Sequence, residues 1–342
     1  MKTLNSYNFS AISRWLSVLA VLIAPQLVQA AATWQATVGA QSHDLGRQAL
    51  AFLANELWVH VGDSITWTFA TDEVHTVTFL TPGQTRPASQ VGCPGVTPNP
   101  SPFDNSACVN SGRLTSGSYT VSFPAAGNFK LVCLVHANMT GAVHVLNSSE
   151  PLPFDQRFYD FQANREANAL LSDGAGLEGQ GIATAEQAGA NGVSAGIGEI
   201  VATGGGFQTL SVMRFLKDTI VVHKGDTVEW TNLDPVTPHT ITFGTEPANP
   251  QTLVGVNASL DADGARSASV DQANASVSSG FIQATPPDRG ANPIGDPTLP
   301  ALPQTPLFVT RFRVTFNTPG TFDYICALHD ELGMVGKVIV RP

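Results

Sequence analysis

The sequence predicts an all-β protein made of two copies of one β-domain, and two observations carry that expectation. First, the chain repeats itself. His60-Val61-Gly62-Asp63-Ser64-Ile65-Thr66-Trp67 returns as His223-Lys224-Gly225-Asp226-Thr227-Val228-Glu229-Trp230. Tyr119-Thr120-Val121-Ser122-Phe123 returns as Phe312-Arg313-Val314-Thr315-Phe316, and each leads through a glycine (Gly127, Gly320) to a cysteine 14 residues after the aromatic. Self-similarity at such a period marks a duplicated structural unit. Second, these segments alternate apolar with polar residues, the period of a half-buried strand, and Gly or Pro punctuates them. Thirty-one Gly and 23 Pro in 342 residues supply the many turns such a fold needs.

Residues 1–30 read as a secretory signal. Lys2 and Arg14 give a positive start, Leu16 to Ala24 an apolar run, and Val28-Gln29-Ala30 a small-residue cleavage site. That run is too short to span a bilayer, and no later segment is long and apolar enough, so no membrane span is expected after cleavage. Losing Lys2 and Arg14 takes the formal charge from −10 to −12. Such an acidic protein is a poor nucleic-acid binder and suits partners with basic docking patches.

The first β-domain is expected over residues 31–147. It holds Cys93 and Cys108 in a stretch rich in Gly, Pro and Asn. In the oxidising compartment the signal implies, these two should form a disulfide, contributing about 3 kcal/mol in the chain-entropy view. Residues 148–195 differ. Phe154, Phe158 and Phe161 recur at helical spacing after Pro153, and Gly174 offers a stop, predicting one short helix over about 155–172. The Gly/Ala-rich stretch 174–198 reads as a flexible linker. The second β-domain, 196–342, carries a long insertion at about 244–306, expected to act as a lid, a docking element or a clamp between domains.

Each repeat also carries the same chemistry. His75 opens the strand His75-Thr76-Val77-Thr78-Phe79, and Cys133, His136 and Met139 follow on one short loop; His239 opens His239-Thr240-Ile241-Thr242-Phe243, and Cys326, His329 and Met334 follow. Two imidazoles and a thiolate in a trigonal set with a distant axial thioether suit a copper ion cycling between Cu(I) and Cu(II). The ligand is the thiolate, so metal binding deprotonates both cysteines. Two copper ions per chain are therefore expected. Of the remaining histidines, His60 and His223 read as exposed strand residues, His144 as a weak candidate ligand on the next strand, and His43 has no context.

At these residues the chain resembles the cupredoxin, or blue copper, family. The spacing Cys326-x2-His329-x4-Met334 is similar to plastocyanin and pseudoazurin, and Cys133-x2-His136-x2-Met139 to the tighter amicyanin loop. The Gly-Asp-Thr/Ser-x-x-Trp strands resemble the family as well. The resemblance implies two Greek-key β-sandwiches, a type 1 copper in each, and periplasmic or extracellular electron transfer between redox proteins. It also places the loop histidines, His136 and His329, with a ring edge near the surface as the electron exit. Thr76 and Thr240 stand where the family often has an asparagine that orders the cysteine sulfur.

A two-domain copper oxidase or nitrite reductase shares this architecture but needs further histidines. Those enzymes carry His-x-His pairs or a histidine just before the cysteine; this chain has no His-x-His, and Val132 and Ile325 precede its cysteines. Copper storage or delivery is a third class, but its sites tend to be open and Met- or His-rich, whereas this chain has four methionines, two of them in the loops. No catalytic residue is assigned, and an electron carrier rather than an enzyme is expected.

Overall fold

A computed structural model describes residues 30–84, 93, 96–247, 255–284 and 309–342. The signal segment up to residue 29 lies outside that description. Residues 31–342 form one compact unit.

The first repeat runs β1 (Thr33–Gln41), β2 (Arg47–Leu53), β3 (Glu56–His60), β4 (Ser64–Phe69), β5 (Thr78–Phe79), β6 (Ser101–Pro102), β7 (Val109–Asn110), β8 (Ser118–Ser122), β9 (Gly127–Val132) and β10 (Thr140–Leu146). A helix, α1 (Gln156–Gln187), follows. The second repeat runs β11 (Gly192–Ala202), β12 (Phe207–Leu216), β13 (Thr219–His223), β14 (Thr227–Leu233), β15 (Thr242–Phe243), β16 (Ser259–Leu260), β17 (Arg266–Val270), β18 (Val277–Ser278), β19 (Arg311–Phe316), β20 (Gly320–Ile325) and β21 (Val335–Arg341).

Alternation buries one face of each strand. Ile65, Trp67 and Phe69 point inward from β4, as do Val228 and Trp230 from β14, and both tryptophans are fully buried. Truncating an aromatic at such a position costs about 3–5 kcal/mol. Each repeat is a sandwich: one layer is the sheet β3-β10-β9-β5-β7 or its counterpart β13-β21-β20-β15-β18. The opposing layers of both repeats join in a single eleven-stranded sheet, ordered β16-β17-β19-β14-β11-β12-β2-β1-β4-β8-β6.

That order is a palindrome about its centre. Outward from the middle, β12-β11-β14-β19-β17 mirrors β2-β1-β4-β8-β6, with β16 added at one edge. The central strands pair antiparallel, Arg47 opposite Val212 and Gln48 opposite Ser211. Equivalent strands meeting this way is the pattern of a two-fold axis. The repeats are thus joined by a sheet, not only by a linker.

Two expectations about residues 148–198 change. The helix is 32 residues long, not a short one over 155–172, and there is no flexible stretch from 174 to 198: α1 continues to Gln187 and β11 starts at Gly192. The glycines read as loosening the chain instead let the helix lie close on the sheet. A Cβ at Gly181 would sit 2.2 Å from Leu216 Cδ1, and one at Gly174 2.4 Å from Arg47 Cδ. Leu170 and Leu177 from α1 pack with Ala49, Ala51, Leu210 and Val212 of the central strands. The helix starts at Asp155, whose carboxylate accepts from the Phe158 amide. Its buried aromatic is Tyr159, hydrogen-bonded to the Trp58 backbone, whereas Phe154, Phe158 and Phe161 face outward. The helical spacing was real, but those three residues do not form the packed face.

The described part of the 244–306 insertion contributes three short strands, β16, β17 and β18, to the sheets. β17 lies parallel to β19 as β6 does to β8, and β18 pairs with β15 as β7 does with β5. Residues 248–254 and 285–308 lie outside the description. Cys93 and Cys108 are bonded as a disulfide. No helix among the described residues is long and apolar enough to cross a membrane.

Candidate metal centres

Strands β9 and β20 end one residue before Cys133 and Cys326, so each cysteine sits where regular pairing stops and a loop begins. The loop folds back on itself. The Cys133 amide donates to the Met139 carbonyl at 3.0 Å, and Cys326 to Met334 at 3.0 Å. Both methionines are fully buried in the cores that hold the cysteines. The upstream histidines are fixed by two-way backbone bonds, His75 with Leu114 and His239 with Ile282.

These elements bring together the two histidines and the cysteine the sequence singled out in each repeat. In the first repeat His75 Nδ1 and His136 Nδ1 are 3.1 Å apart, and Cys133 Sγ is 3.8 Å from His136 Nδ1. In the second, His239 Nδ1 and His329 Nδ1 are 3.1 Å apart, with Cys326 Sγ at 3.8 Å and 3.4 Å from them. In each group the donor atoms lie within 4.8 Å of one another, and all six residues are buried. Two convergent imidazole nitrogens and a thiolate sulfur form a donor set that copper fits.

Burial alone would raise both thiols, yet each is held well below the usual thiol range. Hydrogen bonds from His136 and His75 do this for Cys133; the charge of His329 and hydrogen bonds from both histidines do it for Cys326. His75 is lowered, chiefly by burial.

The question of the sulfur's hydrogen bonds has a structural answer. The backbone amides of Thr76 and Thr240 lie 3.5 and 3.3 Å from the cysteine sulfurs. Their hydroxyls accept from the next loop residues, Leu134 N–H at 2.8 Å and Ala327 N–H at 2.7 Å. Threonine therefore ties the histidine strand to the cysteine loop, in both repeats alike. Two bulge glycines do the corresponding work behind the upstream histidines. Gly39 and Gly196 adopt φ of +71° and +77°, and a Cβ there would sit 3.0 Å from His75 Nε2 or 2.2 Å from His239 Nε2.

The outer nitrogens of the loop histidines meet a residue the sequence reading missed. Glu73 Oε1 lies 3.3 Å from His136 Nε2, and Glu73 Oε2 lies 3.7 Å from His329 Nε2. Burial would raise this carboxyl, but the hydrogen bond from His136 and the charges of His329, His136 and His75 hold it at about 2. Asp234 Oδ2 stands 4.0 Å from His239 Nε2. Carboxylates behind metal-ligating imidazoles fix ring orientation and tautomer. An acid two residues before His75 is the only local signal for Glu73, and nothing local connects it to His329.

This arrangement corrects the placement of His136 and His329 at the surface. Their side chains are 2% and 5% exposed, on the floor of a cleft of about 500 Å3 between the two loops. His60, read as exposed, is buried with Nε2 2.7 Å from the Glu150 carbonyl, while His223 is exposed. His144 stands outside the centres, stacked on Trp58 and bonded to Glu56 and Asn128. His43 is exposed.

Residues 309–341 match the family model of copper binding proteins of the plastocyanin/azurin family, a span that includes Cys326, His329 and Met334. Solved structures similar to the chain include a mutant plastocyanin of fern, at 21% identity over 38% of this chain and 89% of that one with a TM-score of 0.21. Auracyanin from Roseiflexus castenholzii is similar at 21% identity over 33% and 96%, TM-score 0.24. A purple cupredoxin from Nitrosopumilus maritimus is similar at 21% identity over 44% and 97%, TM-score 0.19. No curated protein matches the chain.

Proposed function

We propose that this chain is an exported electron carrier with one type 1 copper in each repeat, His75, Cys133, His136 and Met139 holding one ion and His239, Cys326, His329 and Met334 the other. The observation that carries this reading is the duplicated, buried group of two Nδ1 atoms and one Sγ. Copper bound there supplies a one-electron Cu(I)/Cu(II) couple. The chain does the rest. It presents each sulfur as a thiolate, aims both Nδ1 atoms inward, and excludes water by burial. The threonine ties and bulge glycines hold these groups so that little need move when charge changes. The acidic mature chain then meets redox partners through basic patches on their surfaces, an association that weakens with salt.

The test is copper stoichiometry with visible and EPR spectra, beside Cys133→Ser and Cys326→Ser variants. Two ions per chain and an intense thiolate-to-copper band, halved by each substitution, are expected; no such band sinks the reading. Sequencing the exported protein should give Ala31 as its first residue. The cleft between the loops is the observation that would favour an oxidase or reductase, as a chamber for substrate. Additional non-blue copper in the loaded protein would support that second reading.

A further inference from the structure

We propose that Glu73 is a carboxylate shared by the two centres, one negative charge that sets the reduction potentials of both together. The inference rests on the two-centre reading above and goes beyond it.

The geometry is specific. The two oxygens of one carboxylate address the outer nitrogens of two histidines from different repeats, Oε1 at 3.3 Å from His136 and Oε2 at 3.7 Å from His329. Glu73 is 7% exposed, so water screens its charge little. Leaving a carboxylate this buried is costly unless cationic or hydrogen-bonding groups face it. The two imidazoles do so here, and each is more acidic when its other nitrogen binds a cation.

The duplicated architecture supplies independent support. The residue two places before the upstream histidine is Glu73 in the first repeat and Thr237 in the second. Both loops are pinned to the central strand pair. The Thr71 hydroxyl donates to Gln48 on β2 and accepts from the Glu73 amide, while Ser211 on β12 bonds Thr237. Gln48 and Ser211 are directly opposite across the join. The seam between the repeats therefore positions Glu73, and the matching position holds a neutral residue. One charge serves two sites.

A negative charge behind a ligand imidazole strengthens the ligand and favours the more positive metal state. Neutralising Glu73 should thus favour the reduced state at both centres. Glu73 acts through the two histidine rings it faces, as a positioning residue.

The experiment measures one centre at a time by spectroelectrochemical titration: Cys326→Ser leaves the first centre and Cys133→Ser the second, each with Glu73, Glu73→Gln and Glu73→Asp. Each titration adds one electron from a small soluble mediator to one centre. Glu73→Gln should shift the reduced-to-oxidised ratio about tenfold at both centres, 59 mV upward for a one-electron couple. Glu73→Asp, which keeps the charge, should shift both less. Asp234→Asn should move the second centre alone. A shift at only one centre with Glu73→Gln, a shift at neither, or an Asp variant equal to the Gln variant overturns the proposal while two bound coppers leave the electron-carrier reading standing. If the wild-type chain binds no copper, that reading falls first and takes this one with it.

Discussion

Replacing Thr240 with valine tests whether one hydroxyl holds the second centre's cysteine loop. The change keeps side-chain shape and removes the oxygen that accepts from the Ala327 amide at 2.7 Å. Thr240 is 1% and Ala327 6% exposed, so water does not readily replace the lost partner. Leaving a buried donor unsatisfied costs about 1–3 kcal/mol. For a protein of this size each kcal/mol moves the midpoint by about 2 °C, giving a fall of about 2–6 °C in thermal unfolding of the copper-loaded protein. Thr240→Ser keeps the hydroxyl and loses one methyl, about 1 kcal/mol. The thiolate-to-copper band should shift with valine and not with serine, because only valine frees the amide next to Cys326. Thr76→Val should behave alike through Leu134, whose amide bonds Thr76 at 2.8 Å. Should serine prove more damaging than valine, the methyl's packing, not the hydrogen bond, would be what holds the loop, and the reasoning fails.

The remaining predictions concern the helix, acid and the metal. Gly176 meets nothing within 4 Å, so Gly176→Ala should stabilise by about 0.5–1 kcal/mol, whereas Gly181→Ala, 2.2 Å from Leu216, should destabilise; chemical denaturation ranks them, and equal effects would contradict the packing described. Hydrogen bonds from Arg313 and from the Ala265 amide, then the charges of Arg313 and Arg311, hold the exposed Asp263 carboxyl below its ordinary 3.8. A lowered folded value means the contribution is present above 3.8 and fades as pH falls below it. The small stability gap between wild type and Asp263→Asn should therefore close on acidification, and a gap that widens refutes the pairing. Removing copper should lower the unfolding midpoint. At free copper 100-fold above Kd each site contributes about 2.7 kcal/mol, and each Cys→Ser variant should forfeit one such increment in calorimetry.

The chemistry was legible because it is local. In each repeat the cysteine and its loop histidine stand three residues apart with a methionine a few residues on, and strand alternation places Trp67 and Trp230 in their cores without reference to anything distant. What depends on pairing between repeats was not legible. Alternation says which face of β2 is apolar, not that its edge adds to β12, so the eleven-stranded sheet leaves no mark in the sequence. The glycines of α1 misled for a definite reason: composition counts Gly174 and Gly181 as flexible, yet each lies where a side chain would strike the sheet. His60 looked exposed because its cover, the Glu150 carbonyl, comes from beyond the last strand of its repeat. Glu73 escaped notice because one of its two histidines belongs to the other repeat.

The mirrored strand order has a consequence for why these two units share a chain at all. Two separate copies, docked through the same central strands, would obey true symmetry and write every residue twice. An acid near the axis would then arrive with a twin, and two buried anions so close would repel unless one took up a proton. Covalent fusion lets the second repeat carry Thr237 where the first carries Glu73, so an acid at that position need not come in pairs.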